Sequence, residues 1–253
     1  MRVLVACEYS GVVRDAFTAR GHHAVSCDIR DSESPGHHYK GDVRDILHDG
    51  WDLLIAHPPC TFLSKASARW LYTSPGVIDQ VRYANGLDAK AFFMEMLNAP
   101  IPKIAVENPT PLRAFELPKH SQVVQPYEYG HPFSKRTLLW LKGLPDLKPT
   151  DVLDKYGVYL PSNTGGAKRG EKATYTNVMT NKDRSRTFTG IADAMAEAAR
   201  VVDCPVRWGA AWTVPNIAQW QGDMESAMND YIDTRRSQNR RPFIDAPHFE
   251  LMV

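Results

Sequence analysis

The chain has 253 residues, 43% of them hydrophobic and 23% charged, with a net charge of +1. That length buries one large core with room for a small lobe. No apolar run is long enough to span a membrane, and the balanced charge does not by itself announce a nucleic-acid partner, although a local basic surface could. The four cysteines, Cys7, Cys27, Cys60 and Cys204, form no CxxC pair, which argues against a zinc or thioredoxin-like site. Free thiols in a reducing compartment are expected, with Cys7, Cys27 and Cys204 as small buried hydrophobes.

Met1 leads straight into RVLVA (2–6), an apolar run of strand length. The cleavage site and long apolar stretch of a signal peptide are missing, so the expectation is a cytoplasmic protein. SGVVRDAFTARG (10–21) has helical apolar spacing and is closed by Gly21. HAVSCDI (23–29) reads as a second strand, and GDVRDIL (41–47) as a turn with a short helical segment. WDLLIAH (51–57) is a third strand that stops at Pro58. Residues 77–97 read as a long amphipathic helix, ended by Pro100 and Pro102. KIAVENP (103–109) is a fourth strand and RTLLWL (136–141) another. The pattern fades from about 143 to 185. Between 161 and 190 six basic residues (Lys168, Arg169, Lys172, Lys182, Arg184, Arg186) face two acidic ones, as in a solvated loop or a phosphate-contacting surface. GIADAMAEAARVV (190–202) is an alanine-rich helix. The tail from 205 holds Trp208, Trp212 and Trp220 and the basic patch RRSQNRR (235–241). The histidine pairs at 22–23 and 37–38 lack supporting ligand spacing and read as loop residues, so no metal is expected.

Strands alternating with helices predict an α/β fold with a parallel sheet and right-handed crossovers. Ligands of such sheets lie at the carboxyl ends of the strands. Glu8, Asp28, Asp42, Cys60 and Glu107 all fall at or just past such ends.

Cys60 follows two prolines in DLLIAHPPCTFLS (52–64). Proline fixes its own backbone angle and restricts the residue before it, so the thiol is aimed with little freedom. A structural cysteine has no need of that, whereas a nucleophile does. The companion is AVENP (105–109), where a second strand delivers Glu107. A carboxylate beside a thiol disfavours its ionisation, so it more plausibly serves the substrate. A pyrimidine asks for both groups. Thiolate addition at carbon 6 makes carbon 5 nucleophilic, and an acid at ring nitrogen 3 stabilises the charge pushed there.

PPCTFLS, with Ser64 in register, resembles the PPCQxFS catalytic motif of the cytosine-5 DNA methyltransferases. VENP resembles their ENV motif. YGHPFSKRTLLWL (129–141) is similar to their later motif through Gly130, Pro132, Lys135 and Arg136. The likeness is to the short, phage-type members and covers about 1–140 and 184–200. It implies a Rossmann-like methyltransferase fold with Cys60 as covalent nucleophile and Glu107 holding nitrogen 3 and the amino group. Arg136, with Lys135, would bind the base carbonyl or a phosphate and lower the thiol pKa. S-adenosylmethionine would lie along the first three strand ends. Glu8, Tyr9, Ser10 and Gly11 would line its methionine part, Asp28 with Ile29 its ribose side, Asp42 with Val43 the adenine, and Pro58 would back the adenine or the target base. Double-stranded DNA would be the partner, with the target base flipped out. Its contacts would come from Ser64, Lys65, Arg69, Asn108, Lys135, Lys168, Arg169, Arg184 and Arg186, and loop 61–79 would close over it with Trp70 and Tyr72. The organisation implied is a cofactor-binding catalytic part (1–142), a small recognition insert (143–185), a returning helix (186–204) and an extension (205–253). Three positions depart from the family. Only Gly11 remains of the glycine-rich first turn, Thr61 replaces the glutamine after the cysteine, and His57 replaces the glycine before the prolines. A structural role is the expectation for His57. Rival readings are the same fold acting on a free cytosine nucleotide or on RNA, a catalytically silent DNA-binding protein, and a dinucleotide-dependent redox enzyme, for which GxGxxG is absent.

Overall fold

The computed structural model describes residues 1–153 and 185–203. The chain divides into two compact units, Met1–Pro205 and Val206–Val253, and every described residue belongs to the first. The described strands are β1 (Arg2–Ala6), β2 (His23–Asp28), β3 (His38–Lys40), β4 (Leu53–Ala56), β5 (Tyr72–Ser74), β6 (Val77–Ile78), β7 (Lys103–Pro109), β8 (Gln122–Val124) and β9 (Thr137–Lys142). Helices α1 (Val12–Ala19), α2 (Ala68–Leu71), α3 (Gln80–Leu97) and α4 (Thr189–Asp203) lie between and after them.

Seven strands form one sheet in the order β3-β2-β1-β4-β7-β9-β8, and β5 pairs with β6 as a separate hairpin. Strand β1 is parallel to β2 and β4, and β4 is parallel to β7. Strand β9 is antiparallel to both β7 and β8, so within this sheet it runs against the other six. The sheet is therefore mixed rather than purely parallel. Residues 125–136, which link β8 to β9, contain no α-helix. A parallel return needs a long crossover, so this short link brings the chain back reversed, into the gap between β7 and β8. The result is a Rossmann-like α/β arrangement, as expected from the sequence.

Strand β1 after Arg2, and all of β4, are apolar because both faces of the sheet are covered. Val3, Val5, Leu53, Ile55, Ala105 and Leu139 pack with Val13 and Phe17 of α1 and with Ile191, Ala192, Met195, Ala196 and Ala199 of α4. Leu4, Ala6, Leu54, Ala56, Ile104, Val106, Leu138 and Trp140 pack against Phe93 and Met96 of α3. The period-two alternation of each strand thus serves two separate cores.

The helix expected over 77–97 starts at Gln80. Asp79 caps it by accepting from the Arg82 backbone N–H at 2.8 Å, and Val77–Ile78 instead pair with Tyr72–Ser74. The turn Pro75-Gly76, with Gly76 at φ 80°, makes that hairpin possible. GDVRDIL becomes a 3₁₀ turn (Val43–Asp45) capped by Asp42. Among the described residues no helix is long and apolar enough to cross a membrane.

Helix α3 crosses the ring of Phe115 at Gly86. A β-carbon there would stand 2.1 Å from Phe115 Cζ. Phe115 is buried and stacked on Tyr83 at 5.6 Å, so the ring has nowhere to move. Gly86→Ala is expected to cost about 1–3 kcal/mol through overpacking, despite alanine's better helix propensity. Urea unfolding should show a lower midpoint with an unchanged slope; a midpoint equal to or above wild type would contradict the packing argument.

Candidate active site

The strand order changes direction at β1 and β4, from which the chain runs outward to β2-β3 on one side and β7 on the other. Ligands of open α/β sheets bind in the crevice at such a point, beyond the carboxyl ends of the strands. Three chain segments leave those ends here: residues 7–11 after β1, 29–31 after β2 and 57–64 after β4.

The turn after β1 is built around a carboxylate. Glu8 is 5% exposed. Its Oε1 accepts from the Val13 backbone N–H at 2.7 Å and from Ser10 Oγ at 3.2 Å, and its Oε2 accepts from the Arg14 backbone N–H at 3.2 Å. The first-turn N–H groups of α1, which in nucleotide-binding folds face a phosphate, are here satisfied by the protein's own acid. Cys7 adopts φ 58° and Gly11 φ 77°. The left-handed shape usual for glycine is thus kept at position 7 without one, at a strain of about 1–2 kcal/mol. Arg14 is 1% exposed and uses all five of its N–H donors. It donates to Asp15 Oδ1 (2.8 Å), to the hydroxyls of Ser26 and Ser32 (both 3.1 Å), and to the carbonyls of Ser34 (3.1 Å) and Pro35 (3.0 Å). This pins loop 32–36 against α1. Sequence reading missed Arg14; an arginine among the apolar positions of a short helix was the available signal.

Beyond β2, Asp28 Oδ1 accepts from the Arg30 backbone N–H at 2.9 Å. Ile29 is 76% exposed, an apolar surface beside a carboxylate. The Arg30 guanidinium lies 5.1 Å from the Tyr9 ring centroid. Asp42 accepts from the backbone N–H and the guanidinium of Arg44, at 3.0 and 3.3 Å, and the Val43 side chain is buried in the core. Across the turn, Tyr9 Oη is 3.0 Å from Ser185 Oγ and Arg186 pairs with Glu33. For an S-adenosylmethionine site the donor set fits in part. Asp28 and Ile29 suit a ribose and an adenine face, and the filled helix terminus suits a ligand without phosphate. The carboxylates of Glu8 and Asp42 are already engaged within the protein.

Strands β4 and β7 are neighbours in register, with Ala56 opposite Val106, so their exits emerge side by side. Those exits are joined several times. His57 Nδ1 lies 3.0 Å from Glu107 Oε2. The Lys65 backbone N–H donates to the Thr110 carbonyl and the Leu112 N–H to the Leu63 carbonyl, both at 2.7 Å. Ser64, buried, bridges to Pro111. Within the loop the Ser64 N–H bonds the Cys60 carbonyl at 2.9 Å. From α3, Arg82 donates to the Thr61 carbonyl at 3.3 Å and lies over the Phe62 ring. Cys60 and Glu107 are thereby held near enough for the charge of one to act on the other.

Their charges act on each other. Burial, and after it the charge of Glu107, push the Cys60 thiol up, while Lys135 pulls it back. Burial opposes the charge on Glu107, but the His57 hydrogen bond and Lys135 outweigh it and hold the carboxyl below its usual range. Glu107 stays a carboxylate, so the His57 Nδ1 is the donor. Lys135 acts on both groups, whereas Arg136 is exposed. Cys7 and Cys27, pushed up to about 12 by burial, are inert thiols. Asn108 is fully buried, and its Nδ2 donates to the Pro109 carbonyl at 2.6 Å. Pro58 is buried; Lys65 and Arg69 are exposed, with Arg69 stacked on Trp70. Cys204, Lys168, Arg169 and Arg184 lie outside the described residues. Sequence reading placed His57 as structural; its bond to Glu107 puts it in the site.

No protein-family model and no curated protein matches the chain. Among solved structures it is similar to three methyltransferases. One is a DNA modification methyltransferase encoded within a prophage of E. coli, at 15% identity over 60% of this chain and 51% of that one, with a TM-score of 0.37. The second is the Dnmt2 methyltransferase of S. pombe, at 15% identity over 56% and 48%, TM-score 0.35. The third is the Entamoeba histolytica methyltransferase EhMeth, at 14% identity over 60% and 57%, TM-score 0.39. The chain spans about half the length of the structures it matches.

The charge pattern predicts opposite effects of two substitutions on thiol reactivity. Glu107→Gln removes the negative charge and should move the pH midpoint of Cys60 alkylation by iodoacetamide downward. Lys135→Met should move it upward. Peptide mass spectrometry across a pH series reads both, and shifts of the same sign would break the assignment.

Proposed function

We propose that the chain transfers a methyl group from S-adenosylmethionine to carbon 5 of cytosine in DNA, through a covalent Cys60 adduct to a flipped-out base. The observation that carries this reading is the approach of Cys60 and Glu107, from two separate strand exits, with Lys135 acting on both. A thiol and a carboxylate that oppose each other's ionisation make a poor reactive pair by themselves. They suit a ring that needs a nucleophile at one carbon and a partner at its amino edge.

In this mechanism Cys60 gives its proton to water as the base binds, with Lys135 favouring the thiolate. The sulfur adds to carbon 6, a C–S bond forms, and the ring electrons move toward carbon 5 and nitrogen 3. Nitrogen 3 takes up a proton from water, and Glu107 accepts from that N–H together with the exocyclic amino group. The bound cofactor would supply the methyl group from its sulfonium to carbon 5, its own S–CH3 bond breaking so that it leaves as the thioether. Loss of the carbon 5 proton to water then restores the carbon 5–carbon 6 double bond and expels Cys60 as thiolate, and the nitrogen 3 proton is returned to water. Asp28, with Ile29 beside it, would hold the ribose and adenine of the cofactor. Glu8, Ser10 and Gly11 shape the turn beneath its methionine part, and Glu8 at the start of α1 disfavours a phosphate there, which argues against a dinucleotide-dependent redox enzyme.

Flipping a base out of a duplex costs a few kcal/mol, which contacts elsewhere must offset. The loop after Cys60 presents Trp70, 58% exposed, and Tyr72, 40% exposed, next to Arg69. Exposed rings beside a guanidinium form a stacking platform for nucleic-acid bases. This surface lies on the segment that carries the nucleophile, and it favours a polynucleotide over a free nucleotide. Lys65 and Lys135 would add phosphate contacts, as would the basic residues Lys168, Arg169 and Arg184. Arg186 is engaged with Glu33 and serves the closure over the first turn instead.

Duplex DNA of random sequence with 5-fluorocytosine in place of cytosine tests the mechanism, because fluorine blocks the final proton loss. Incubated with S-adenosylmethionine, the protein should gain a covalent adduct on Cys60 by mass spectrometry, and Cys60→Ser should gain none. Cofactor binding in calorimetry without any adduct would leave the fold but remove the chemistry.

A further inference from the structure

His57 is the side chain of this crevice that the proposed mechanism leaves unused. It stands at the exit of β4, where its backbone N–H bonds the Ala6 carbonyl at 3.0 Å. Its ring is largely buried, at 11% side-chain exposure, against 18% for Glu107. Nδ1 is spent on Glu107 Oε2, and Nε2, also buried, has no hydrogen-bond partner among the described residues. Burying a polar ring atom without a partner is costly. A histidine kept there for packing alone would carry that cost for nothing, since a small apolar residue would fill the space without it. The compensating feature is the single bond to the carboxylate.

That bond has a chemical meaning. A carboxyl group is an acceptor when ionised and a donor when protonated. In the Cys60 adduct, cytosine presents two donors on this edge, the 4-amino group and nitrogen 3 with its added proton, whereas uracil or thymine presents a donor at nitrogen 3 beside an acceptor, the 4-oxo group. A carboxylate held ionised therefore accepts twice from the first, but sets one oxygen against the 4-oxo lone pairs of the second. We propose that His57 is the positioning residue that keeps Glu107 an acceptor, and that it thereby selects 4-amino over 4-oxo pyrimidines. The inference rests on the reading of the site as a cytosine-modifying one, although the His57–Glu107 coupling itself does not.

The groups that bear on the pair come from every side of it. Glu107 faces His57 from β7, Cys60 follows it on the same loop, Lys135 approaches from the segment before β9, and Cys7 stands at the neighbouring exit of β1. Lys135 also favours the ionised carboxyl, so loss of His57 weakens the acceptor state without abolishing it. Selection should relax rather than reverse. An unionised Glu107 could donate to a 4-oxo group, and the amino edge would lose one of its acceptors.

Two variants separate positioning from structural support. In His57→Asn the side-chain amide nitrogen can stand where Nδ1 stands and donate to the carboxylate. In His57→Gln the amide reaches past that position, toward the place of Nε2. Both keep a polar group of similar size in the space. The first readout uses the protein by itself: carbon-13 NMR titration of the Glu107 carboxyl, assigned by its loss in Glu107→Gln. The midpoint should stay with wild type in His57→Asn and rise in His57→Gln. The second readout is the rate of Cys60 adduct formation on random-sequence duplexes with 5-fluorocytosine, or 5-fluorouracil, at the same positions opposite guanine. Wild type and His57→Asn should prefer the amino base, and His57→Gln should lose about tenfold of that preference, the scale of one hydrogen bond to a charged group. Equal Glu107 midpoints in the two variants overturn the coupling. A raised midpoint with unchanged preference overturns the selection. No adduct on either DNA from wild type, with the midpoints shifted as expected, sinks the methylation reading and leaves the coupling standing.

Discussion

The site depends on one constraint, the joining of two neighbouring strand exits. Parallel strands lie about 4.8 Å apart, so β4 and β7 deliver their exits close together without help. Proximity alone does not aim side chains, because loops past a strand end are free to diverge. Here they are fastened by backbone bonds between Lys65 and Thr110 and between Leu112 and Leu63, and by the His57–Glu107 contact in the middle. Pro58 and Pro59 remove the backbone freedom that would remain. The thiol and the carboxylate can then oppose each other electrostatically without moving apart. A half-buried thiol kept protonated beside a half-buried carboxylate is unreactive by itself.

The other half of the crevice follows a different logic. The turn after β1 is held from within by Glu8 and from outside by Arg14, both nearly inaccessible to water. Each would be costly to bury without partners. Glu8 finds its partners in the first-turn amides of α1, and Arg14 finds them in three side chains and two carbonyls. A glycine-rich turn reaches its shape through backbone freedom. This chain reaches a left-handed turn through a strained Cys7 and a network of fixed charges, which makes the turn rigid and occupied by protein.

The sequence made the central strands legible because RVLVA, DLLIA and KIAV are apolar on both faces, the mark of a covered sheet. Cys60 and Glu107 were legible for the same reason, since Glu107 sits one step and Cys60 four steps past such a run. Strands β3 and β8 were not, being three residues long and only partly buried. The direction of β9 could not be read, because RTLLWL carries no sign of which way it enters a sheet. Glu8 looked like a ligand residue; its use as a helix cap depends on amides five and six positions ahead that only the fold brings round. His57 was underweighted because its partner lies fifty residues away. Trp70 and Tyr72 were visible as aromatics, but their exposure was not.

The contacts of Ser185 and Arg186 with Tyr9 and Glu33 carry one more consequence. They join positions about 150 to 180 apart in sequence, and α4 packs onto α1 directly behind them. During synthesis the first turn leaves the ribosome early and its cover late. Until roughly residue 190 has emerged, the nascent chain holds that turn unroofed, with the part of α1 that α4 later covers bare to water. Maturation of the pocket is thus tied to near-complete translation of this unit, and a chaperone that shields α1 in the interval would be shielding the ground on which the pocket is built.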